Sequence, residues 1–282
     1  MSARSAPRSS RRSFLKLGAL ATAGVLALGL PPVLPAKPSS AGPRVASALS
    51  LPLSGVQLLH FPEQLLGARR HAVDAALVPA YVAAQLIQQR LLKPLRGPSG
   101  RAHDPEGYFT LPFAYRVAAL RFASERAAPT AAAWDDLWSA AGGAAWPAFG
   151  RVVTGAALLR RGYSPNDAHP GHLAQAADDL GRLRARSVPE GDQAVRLVLA
   201  DPIELGQAGG LRLPAPGTML VEYDWVIVGG PAQADAARQF VDGLRPMAQG
   251  LRSDLPTRLI PLMPLARAAQ TQHDDIWAGL AG

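Results

Sequence analysis

Apolar residues recur along this chain of 282 residues with two spacings, and each spacing predicts a kind of regular structure. Short apolar runs bounded by turn-forming residues predict strands at 56–59, 74–79, 195–199 and 220–228. Apolar residues at helical spacing predict helices at 81–92, 130–140, 152–160, 170–186 and 233–244. One longer extended stretch covers 108–122 and is interrupted by Pro112. Strands that alternate with helices favour an α/β protein with mixed sheets.

The first apolar segment has a different meaning, because it follows the motif Ser-Arg-Arg-x-Phe-Leu-Lys at 10–16. The apolar run at 17–30 is shorter than a membrane span and fits the central region of a signal peptide. Small residues around 34–41 supply cleavage sites. The segment 1–43 is therefore predicted to be a twin-arginine export signal with its linker, which directs the protein to the periplasm. A basic tail on a buried helix is the alternative, and the absence of any acidic residue before Glu63 argues against it.

The net charge of +8 carries little information about partners of the mature protein. Six of the 29 lysine and arginine residues and none of the 21 acidic residues lie before residue 44, so the remainder is close to neutral. The charge therefore gives no reason to expect nucleic-acid binding. The chain has no cysteine, which excludes disulfides, thiolate metal sites and the lipid-bearing cysteine of a lipoprotein. No later stretch is long and apolar enough to span a membrane.

Metal, cofactor and catalytic motifs are not found in the sequence. The pair His169-Pro-Gly-His172 is interrupted by a turn and has no third ligand nearby, so no metal site is predicted. The chain contains no Gly-x-Ser-x-Gly, no His-Glu-x-x-His and no phosphate-binding loop. We therefore predict a protein without a cofactor that is not an enzyme.

Five segments in a fixed order carry a resemblance to a known family. They are Asp74-Ala-Ala-Leu-Val-Pro79 with Tyr81 and the helix to Leu95, Asp104-Pro-x-Gly-Tyr-Phe-Thr-Leu-Pro-Phe113, Trp134-Asp-Asp-Leu-Trp138, Leu158-Leu-Arg-Arg-Gly-Tyr-Ser-Pro-Asn166, and 217–244 with Asp224-Trp225. Together they resemble the polyamine (spermidine/putrescine) branch of the periplasmic solute-binding proteins of ABC importers, within extracellular solute-binding protein family 1.

The resemblance implies a two-lobed α/β fold of the type II periplasmic binding-protein class, with mixed sheets and crossover hinge strands. The first lobe would take 44–115 and 216–282, and the second lobe 116–215. The crossover strands would lie near Pro112–Val117 and Arg212–Asp224. Such a protein is expected to be a monomer that binds a small solute between its lobes and then docks on an ABC permease in the inner membrane.

This chain also departs from the family pattern, and the departures concern the site. Only 44–73 is available for the opening strand–helix units, so the first lobe is expected to be shortened and to lack a strand or a helix. The family's acidic pair has no counterpart in 146–151. Glu222 stands where the family has tryptophan, and Arg116 replaces a glycine. An arginine at a cleft would repel a polyamine and suit a carboxylate or phosphate.

The residues expected to contact the solute are aromatic or charged, because aromatic rings and carboxylates bind ammonium groups. They are Tyr81, Phe113, Tyr115, Arg116, Asp201, Glu222 and Asp224. A structural role is the alternative for each: core packing for the aromatic residues, ion pairing for Arg116 and Asp224, and turn formation for Asp201 before Pro202. Trp134 and Trp138 are predicted to be core anchors.

A second functional hypothesis comes from another class. The shortened lobe and the missing tryptophans are also compatible with a degenerate binding-protein domain that serves as an interaction or regulatory module. A hydrolase on the same scaffold is a remote third hypothesis, because it needs a nucleophile and a base that converge in the cleft.

Overall fold

A mixed β-sheet organises the residues that the structure, a computed structural model, describes. Residues 1–41, which hold most of the predicted export segment, lie outside those described residues. Gly42–Ala281 form one unit. The residues described are 42–49, 51, 53–59, 62–95, 101–141, 143–147, 149–185, 194–205, 209–229, 231–244 and 258–281.

The described part of the chain contains nine strands. They are β1 (Val45–Ser47), β2 (Val56–Leu58), β3 (Ala75–Pro79), β4 (Thr110–Phe122), β5 (Ala144–Ala145), β6 (Val195–Ala200), β7 (Leu211–Arg212), β8 (Thr218–Ile227) and β9 (Leu259–Pro261). Their order in the sheet is β2-β1-β3-β8-β4-β6-β5, with β7 beside β4 and β9 beside β8. β1 is parallel to β2 and β3, and β5 is parallel to β6. The central strands β3, β8, β4 and β6 pair antiparallel with one another in that order, so the sheet is mixed as predicted.

Helices cover the sheet, and most of them lie where helical spacing predicted them. They are α1 (Ala80–Gln88), α2 (Asp135–Ser139), α3 (Gly150–Arg160), α4 (Pro170–Arg184), α5 (Pro202–Leu205), α6 (Pro231–Gly243) and α7 (Arg267–Ala281). α3 ends at Arg160, and the nearby Gly162 has a φ of 79°, which is favourable only for glycine. The amide of Tyr163 donates to Leu158 and that of Gly162 to Leu159, which closes the helix in a Schellman motif. None of the described helices combines the length and the apolar composition that a membrane span requires.

The two long strands β4 and β8 connect the two sides of the sheet. The first part of β4 pairs with β8, and its last six residues, Val117–Phe122, pair with β6. Pro112 was expected to interrupt this stretch. The strand instead continues through a register shift between Pro112 and Ala114, because proline lacks the N–H that a regular ladder needs. These strands include the segments that the sequence predicted as crossovers, while the lobe boundaries at 115/116 and 215/216 stay a prediction.

The sequence patterns did not predict α5, α7 or the short strands β1, β5, β7 and β9, and two further regions differ from their predictions. The helix expected at 130–140 is reduced to the five residues of α2. The opening part of the chain keeps two strands, β1 and β2, but its described residues contain only short 3₁₀ helices, Pro62–Leu66 and Ala68–Ala72, before β3. The described residues before β3 thus contain two strands and no α-helix.

Tryptophan side chains anchor the core. Trp134 and Trp138 are both buried, as predicted, and their indole N–H groups donate to backbone carbonyls of Gly217 and Asp179, each at 3.0 Å. The first bond links Trp134, which directly precedes α2, to a segment far along the chain, and the second does the same for α2 itself. A helix of only five residues is thus held in place by tertiary contacts and not by its own length.

Candidate functional site

The carboxyl ends of β1–β3 and of β5–β6 face each other midway along the long strands: β3 ends at Pro79, opposite Tyr223 of β8, and β6 ends at Ala200, opposite Val117 of β4. Ligands bind outside the carboxyl ends of strands in open α/β proteins, and cavities of about 310 Å³ and about 380 Å³ lie among residues that follow such ends. The larger one, named here the Arg116 cavity, is lined by residues that follow β1, β2 and β5, together with side chains of the long strands. Its lining includes Leu49, Leu58, Leu59, Phe149, Leu199, Arg116 and Tyr223.

The Arg116 cavity has largely apolar walls with two charged side chains, Arg116 and Glu204. The Arg116 guanidinium pairs with the carboxylate of Asp201, and both side chains are mostly buried. Tyr223 is fully buried, and its hydroxyl has no hydrogen-bond partner among the described residues. Burial raises the pKa of Tyr223, although the nearby Arg116 opposes that shift. The structure therefore brings two predicted site residues, Arg116 and Asp201, into direct contact with each other.

Tyr81 lies in the first turn of α1 and faces a second group of charged residues. Its hydroxyl donates to Glu63 Oε1 at 2.6 Å, and the guanidinium carbon of Arg151 lies 5.8 Å from the centre of its ring. Burial and the neighbouring Glu63 raise the pKa of Tyr81 well above its ordinary value. The phenol therefore stays protonated and donates to the carboxylate.

The smaller cavity, named here the Glu63 cavity, is formed where three elements meet. The 3₁₀ helix Pro62–Leu66 supplies one side, the start of α3 supplies another, and α7 supplies the third. The residues from α7 are spaced i, i+3, i+4 and i+7, so they lie on one face of that helix. The lining consists of Glu63, Gln64, Gly150, Arg151, Gln270, His273, Asp274 and Trp277.

Arg151 is the most deeply buried charge of the Glu63 cavity, with an exposed fraction of 3%. Its Nη1 donates to the Pro165 carbonyl at 3.0 Å and lies 3.3 Å from His273 Nε2. Its Nη2 donates to Asn166 Oδ1 and to the Met263 carbonyl, both at 3.1 Å. The Nε–H has no partner, and no carboxylate of the described residues forms an ion pair with this guanidinium. Burial lowers the pKa of Arg151 to about 10, so the side chain is still charged at neutral pH.

The carboxylates of the Glu63 cavity also lack a direct cationic partner among the described residues. Burial raises the pKa of Glu63, and the hydrogen bond from Tyr81 opposes this only in part. Burial likewise raises the pKa of Asp274, which accepts a hydrogen bond from Gln270 Nε2 at 2.8 Å. His273 is neutral, because burial and the adjacent Arg151 lower its pKa to about 3. The cavity thus contains one cation and two carboxylates that are near one another but not paired.

Glu222 and Asp224 lie on the opposite face of β8 from Tyr223, since side chains alternate along a strand. Asp224 is fully buried and binds Arg101 Nε at 2.9 Å and His103 Nε2 at 3.0 Å. Arg101 also pairs with Glu222. These four residues are named here the Arg101 cluster, in which both carboxylates are ion-paired with Arg101.

The remaining predicted site residues, Phe113 and Tyr115, lie on β4. Phe113 is buried and packs edge-to-face on Trp225, with ring centroids 5.8 Å apart. Tyr115 lies directly opposite Glu222 in the β4–β8 ladder, so it shares the face of the Arg101 cluster. The seven predicted residues therefore do not converge on one cavity.

The sequence patterns predicted no site role for five residues that line these cavities, Glu63, Arg151, Asp274, Trp277 and Tyr223. A usable signal was present in the i, i+3, i+4, i+7 spacing of Gln270, His273, Asp274 and Trp277, which combines polar, charged and aromatic side chains on one helical face. In the pair His169 and His172, the second histidine has a local role. The ring of His172 stacks on that of Tyr163 with centroids 3.8 Å apart, and its Nδ1 lies 2.9 Å from Asp167 Oδ2.

Comparisons with solved structures identify the fold. No family model and no curated protein matches the chain. A protein described as a spermidine/putrescine ABC transporter from Listeria monocytogenes superposes with a TM-score of 0.65 at 14% identity, over 80% of this chain and 90% of the other. The spermidine/putrescine substrate-binding protein PotD from Streptococcus pneumoniae gives 0.53 at 17% identity, over 81% and 91%. The binding protein AgtB from A. tumefaciens R10, in complex with agropinic acid, gives 0.52 at 11% identity, over 84% and 82%.

These similarities establish that the chain has the mixed α/β fold of periplasmic binding proteins, as the sequence resemblance implied. They do not distinguish one solute from another, since the proteins named include spermidine/putrescine proteins and one that holds agropinic acid. The chemistry of the cavities must therefore carry any argument about the solute.

Proposed function

We propose that the protein is the substrate-binding component of an ABC importer and binds a small solute of the polyamine type, one that carries an ammonium group. The observation that carries the proposal is the Glu63 cavity, in which Glu63 and Asp274 have no cationic partner among the described residues and Trp277 forms a wall. The binding-protein fold supports a transport role.

An ammonium group suits this lining for two reasons. Carboxylate and amide oxygens accept the N–H bonds of an ammonium group, and the cavity offers Glu63, Asp274 and the unpartnered Oε1 of Gln270. The indole ring of Trp277 adds the electron-rich face on which a cation is stabilised. Its volume of about 310 Å³ lies within the range of small-molecule pockets.

Solute binding would be coupled to transport by a shift between two conformations. In the proposal, β4 and β8 act as the crossover strands, and the bound solute favours the closed arrangement that docks on the permease. No chemical step is needed.

Calorimetry and thermal unfolding of the purified protein with polyamines, amino acids and small organic acids test the proposal. A solute at 100 times its Kd is expected to stabilise the protein by about 2.7 kcal/mol, which raises Tm by roughly 5–10 °C. Glu63→Gln and Asp274→Asn should weaken binding, while Asp235→Asn, which breaks an exposed pair with Arg238, serves as the matched control. If no compound of these classes raises Tm, the transport proposal is wrong.

The proposed location is the periplasm, reached by the twin-arginine route. Replacement of both Arg11 and Arg12 by lysine is expected to abolish export of the full chain, measured as the fraction of protein recovered from the periplasm. Export that is unaffected by this change would contradict the proposed route.

An interaction module without transport is the second candidate, and one observation favours it. Most of the charges expected to contact a solute are already paired inside the protein, Arg116 with Asp201 and Arg101 with Glu222 and Asp224. A stable protein partner in a pull-down, with no permease encoded nearby and no solute that binds, would favour this candidate over the importer.

A further inference from the structure

Charges of opposite sign lie side by side in the Glu63 cavity without pairing. Arg151 is held by four hydrogen bonds to neutral groups, so its guanidinium cannot turn to form an ion pair with Glu63 or Asp274. Burying an unpaired charge is costly, and here charges of both signs carry that cost. The pattern is expected of a site that a ligand completes.

We propose that the solute of this cavity is a small zwitterion, with an ammonium group that binds Glu63 and Asp274 and a carboxylate that binds Arg151. The inference rests on the proposed function and defines its solute more narrowly. Amino acids and ω-amino acids belong to this class, whereas diamines and dicarboxylic acids do not.

The hydrogen-bonding groups that remain free support this class of ligand. Arg151 has a single free donor, the Nε–H, which suits one oxygen of a carboxylate. The acceptors are more numerous: the unpartnered Oε1 of Gln270, and the carboxylates of Glu63 and Asp274, which accept from Tyr81 and Gln270 but have no cationic partner among the described residues. One donor and several acceptors match a ligand with one carboxylate and one ammonium group, whose three N–H bonds need three acceptors.

The alternative classes of solute leave part of the cavity unsatisfied. A diamine neutralises Glu63 and Asp274 but adds a second cation beside Arg151, whose charge stays uncompensated. A dicarboxylic acid satisfies Arg151 but repels the two carboxylates. A zwitterion places a carboxylate beside Arg151 and an ammonium group that Glu63 and Asp274 share, so each sign of charge in the cavity faces its opposite.

The decisive experiment compares ligands that differ only in their end groups. Calorimetric Kd values are measured for 3-, 4- and 5-carbon ω-amino acids, for example 4-aminobutyrate, beside the diamines and dicarboxylic acids of equal length, for example putrescine and succinate. At the best chain length the amino acid is expected to bind at least about 10-fold more tightly than both partners, which corresponds to about 1.4 kcal/mol.

Each other outcome has a definite meaning. If a diamine binds most tightly, the proposal that the solute is a zwitterion is wrong, while the proposed importer of polyamine-type solutes still holds. Tightest binding of a dicarboxylic acid overturns the role of Glu63 and Asp274 in both proposals. Binding of none of the nine compounds, nor of α-amino acids or longer polyamines, overturns the proposed function itself.

Two variants test the roles of the opposite charges. Asp274 lies at the exposed rim of the cavity. Asp274→Asn should lower the affinity for the amino acid about 10-fold and should raise the affinity for the dicarboxylic acid relative to that for the amino acid. Arg151→Gln should shift the preference toward the diamine, if this buried change still permits folding. Asp235→Asn, which breaks an exposed ion pair with Arg238, is the matched control and should leave all affinities unchanged. If Asp274→Asn leaves the three affinities as they are, the zwitterion assignment is wrong.

Discussion

The Glu63 cavity and the Arg101 cluster contain the same four kinds of residue, an arginine, a glutamate, an aspartate and a histidine, yet their charges are arranged in opposite ways. In the Arg101 cluster the arginine bridges both carboxylates, and the histidine lies 3.0 Å from the buried aspartate. In the Glu63 cavity the arginine donates only to neutral groups, and both carboxylates have raised pKa values.

The difference comes from the elements that hold the side chains. Glu222 and Asp224 are two positions apart on β8, so they share a face and one guanidinium reaches both. Glu63, Arg151 and Asp274 come from three separate elements, and the hydrogen bonds of Arg151 are already committed to backbone and amide groups. A matched cluster serves stability, whereas an unmatched one is available to a ligand.

The largest expected effect tests the stabilising role of the Arg101 cluster. Asp224→Asn removes a fully buried charge and leaves the largely buried Arg101 only partly compensated, so the free energy of unfolding should fall by about 3 kcal/mol. Urea denaturation measures it. Asp235→Asn, which breaks an exposed pair with Arg238, is the matched control and should cost less than about 0.5 kcal/mol. Equal losses of unfolding free energy in the two variants would show that the Arg101 cluster stabilises the protein no more than an exposed ion pair does.

The second prediction concerns His273 in the Glu63 cavity and its dependence on pH. Its pKa is about 3 in the folded protein and 6.5 as the ordinary value, so the unfolded chain binds the proton more readily. The stability that depends on neutral His273 is complete above pH 6.5 and is lost as the pH falls toward 3. Between pH 6.5 and 4 the wild type should lose about 3 kcal/mol more than His273→Gln. Parallel pH profiles of the two proteins, from urea denaturation, would contradict this.

The third prediction tests how tightly the wall of the Glu63 cavity is packed. A Cβ at Gly150 would lie 2.7 Å from Trp277 Cγ, so Gly150→Ala must displace the base of the indole and should cost about 1–3 kcal/mol. Gly181→Ala lies in α4 with open space around the new methyl group and should stabilise by about 0.5–1 kcal/mol. Thermal unfolding of both variants, with tryptophan fluorescence for Trp277, measures the contrast. A neutral Gly150→Ala would mean that the wall is loose.

The smallest effects come from the same substitution made in both regions. Glu222→Gln breaks the pair with Arg101 and should lower the free energy of unfolding by about 1 kcal/mol. Glu63→Gln removes a carboxylate that burial disfavours, and it should raise stability at pH 7 by up to about 1 kcal/mol.

The two glutamine variants also differ in their pH dependence. Because the pKa of Glu63 is raised above 4.5 in the folded protein, the wild type loses stability as the pH rises from 4.5 through that raised value. The advantage of Glu63→Gln should therefore grow with pH, as measured by denaturation at pH 4, 5.5 and 7. A loss of stability in Glu63→Gln at pH 7 would show that Glu63 is compensated after all.

Much of the fold was accessible from the sequence, while most of the candidate site was not. The strand at 74–79, the helices at 152–160 and 170–186 and the buried Trp134 follow from local periodicity. The partners of Asp224 did not, because Arg101 is 123 positions away and nothing local indicates their contact. Arg151 and His273 are 122 positions apart and meet for the same reason, through packing of α7 on α3.

The sequence by itself determined the strands β2, β3, β4, β6 and β8, five of the helices, the resemblance to binding proteins and the predicted export signal, because each depends on short-range patterns of apolar and charged residues. The tertiary structure alone decided which charges are paired and which are left for a ligand. That outcome depends on strand register, which directs Tyr223 to one face of the sheet and Asp224 to the other, and on contacts between residues more than 100 positions apart.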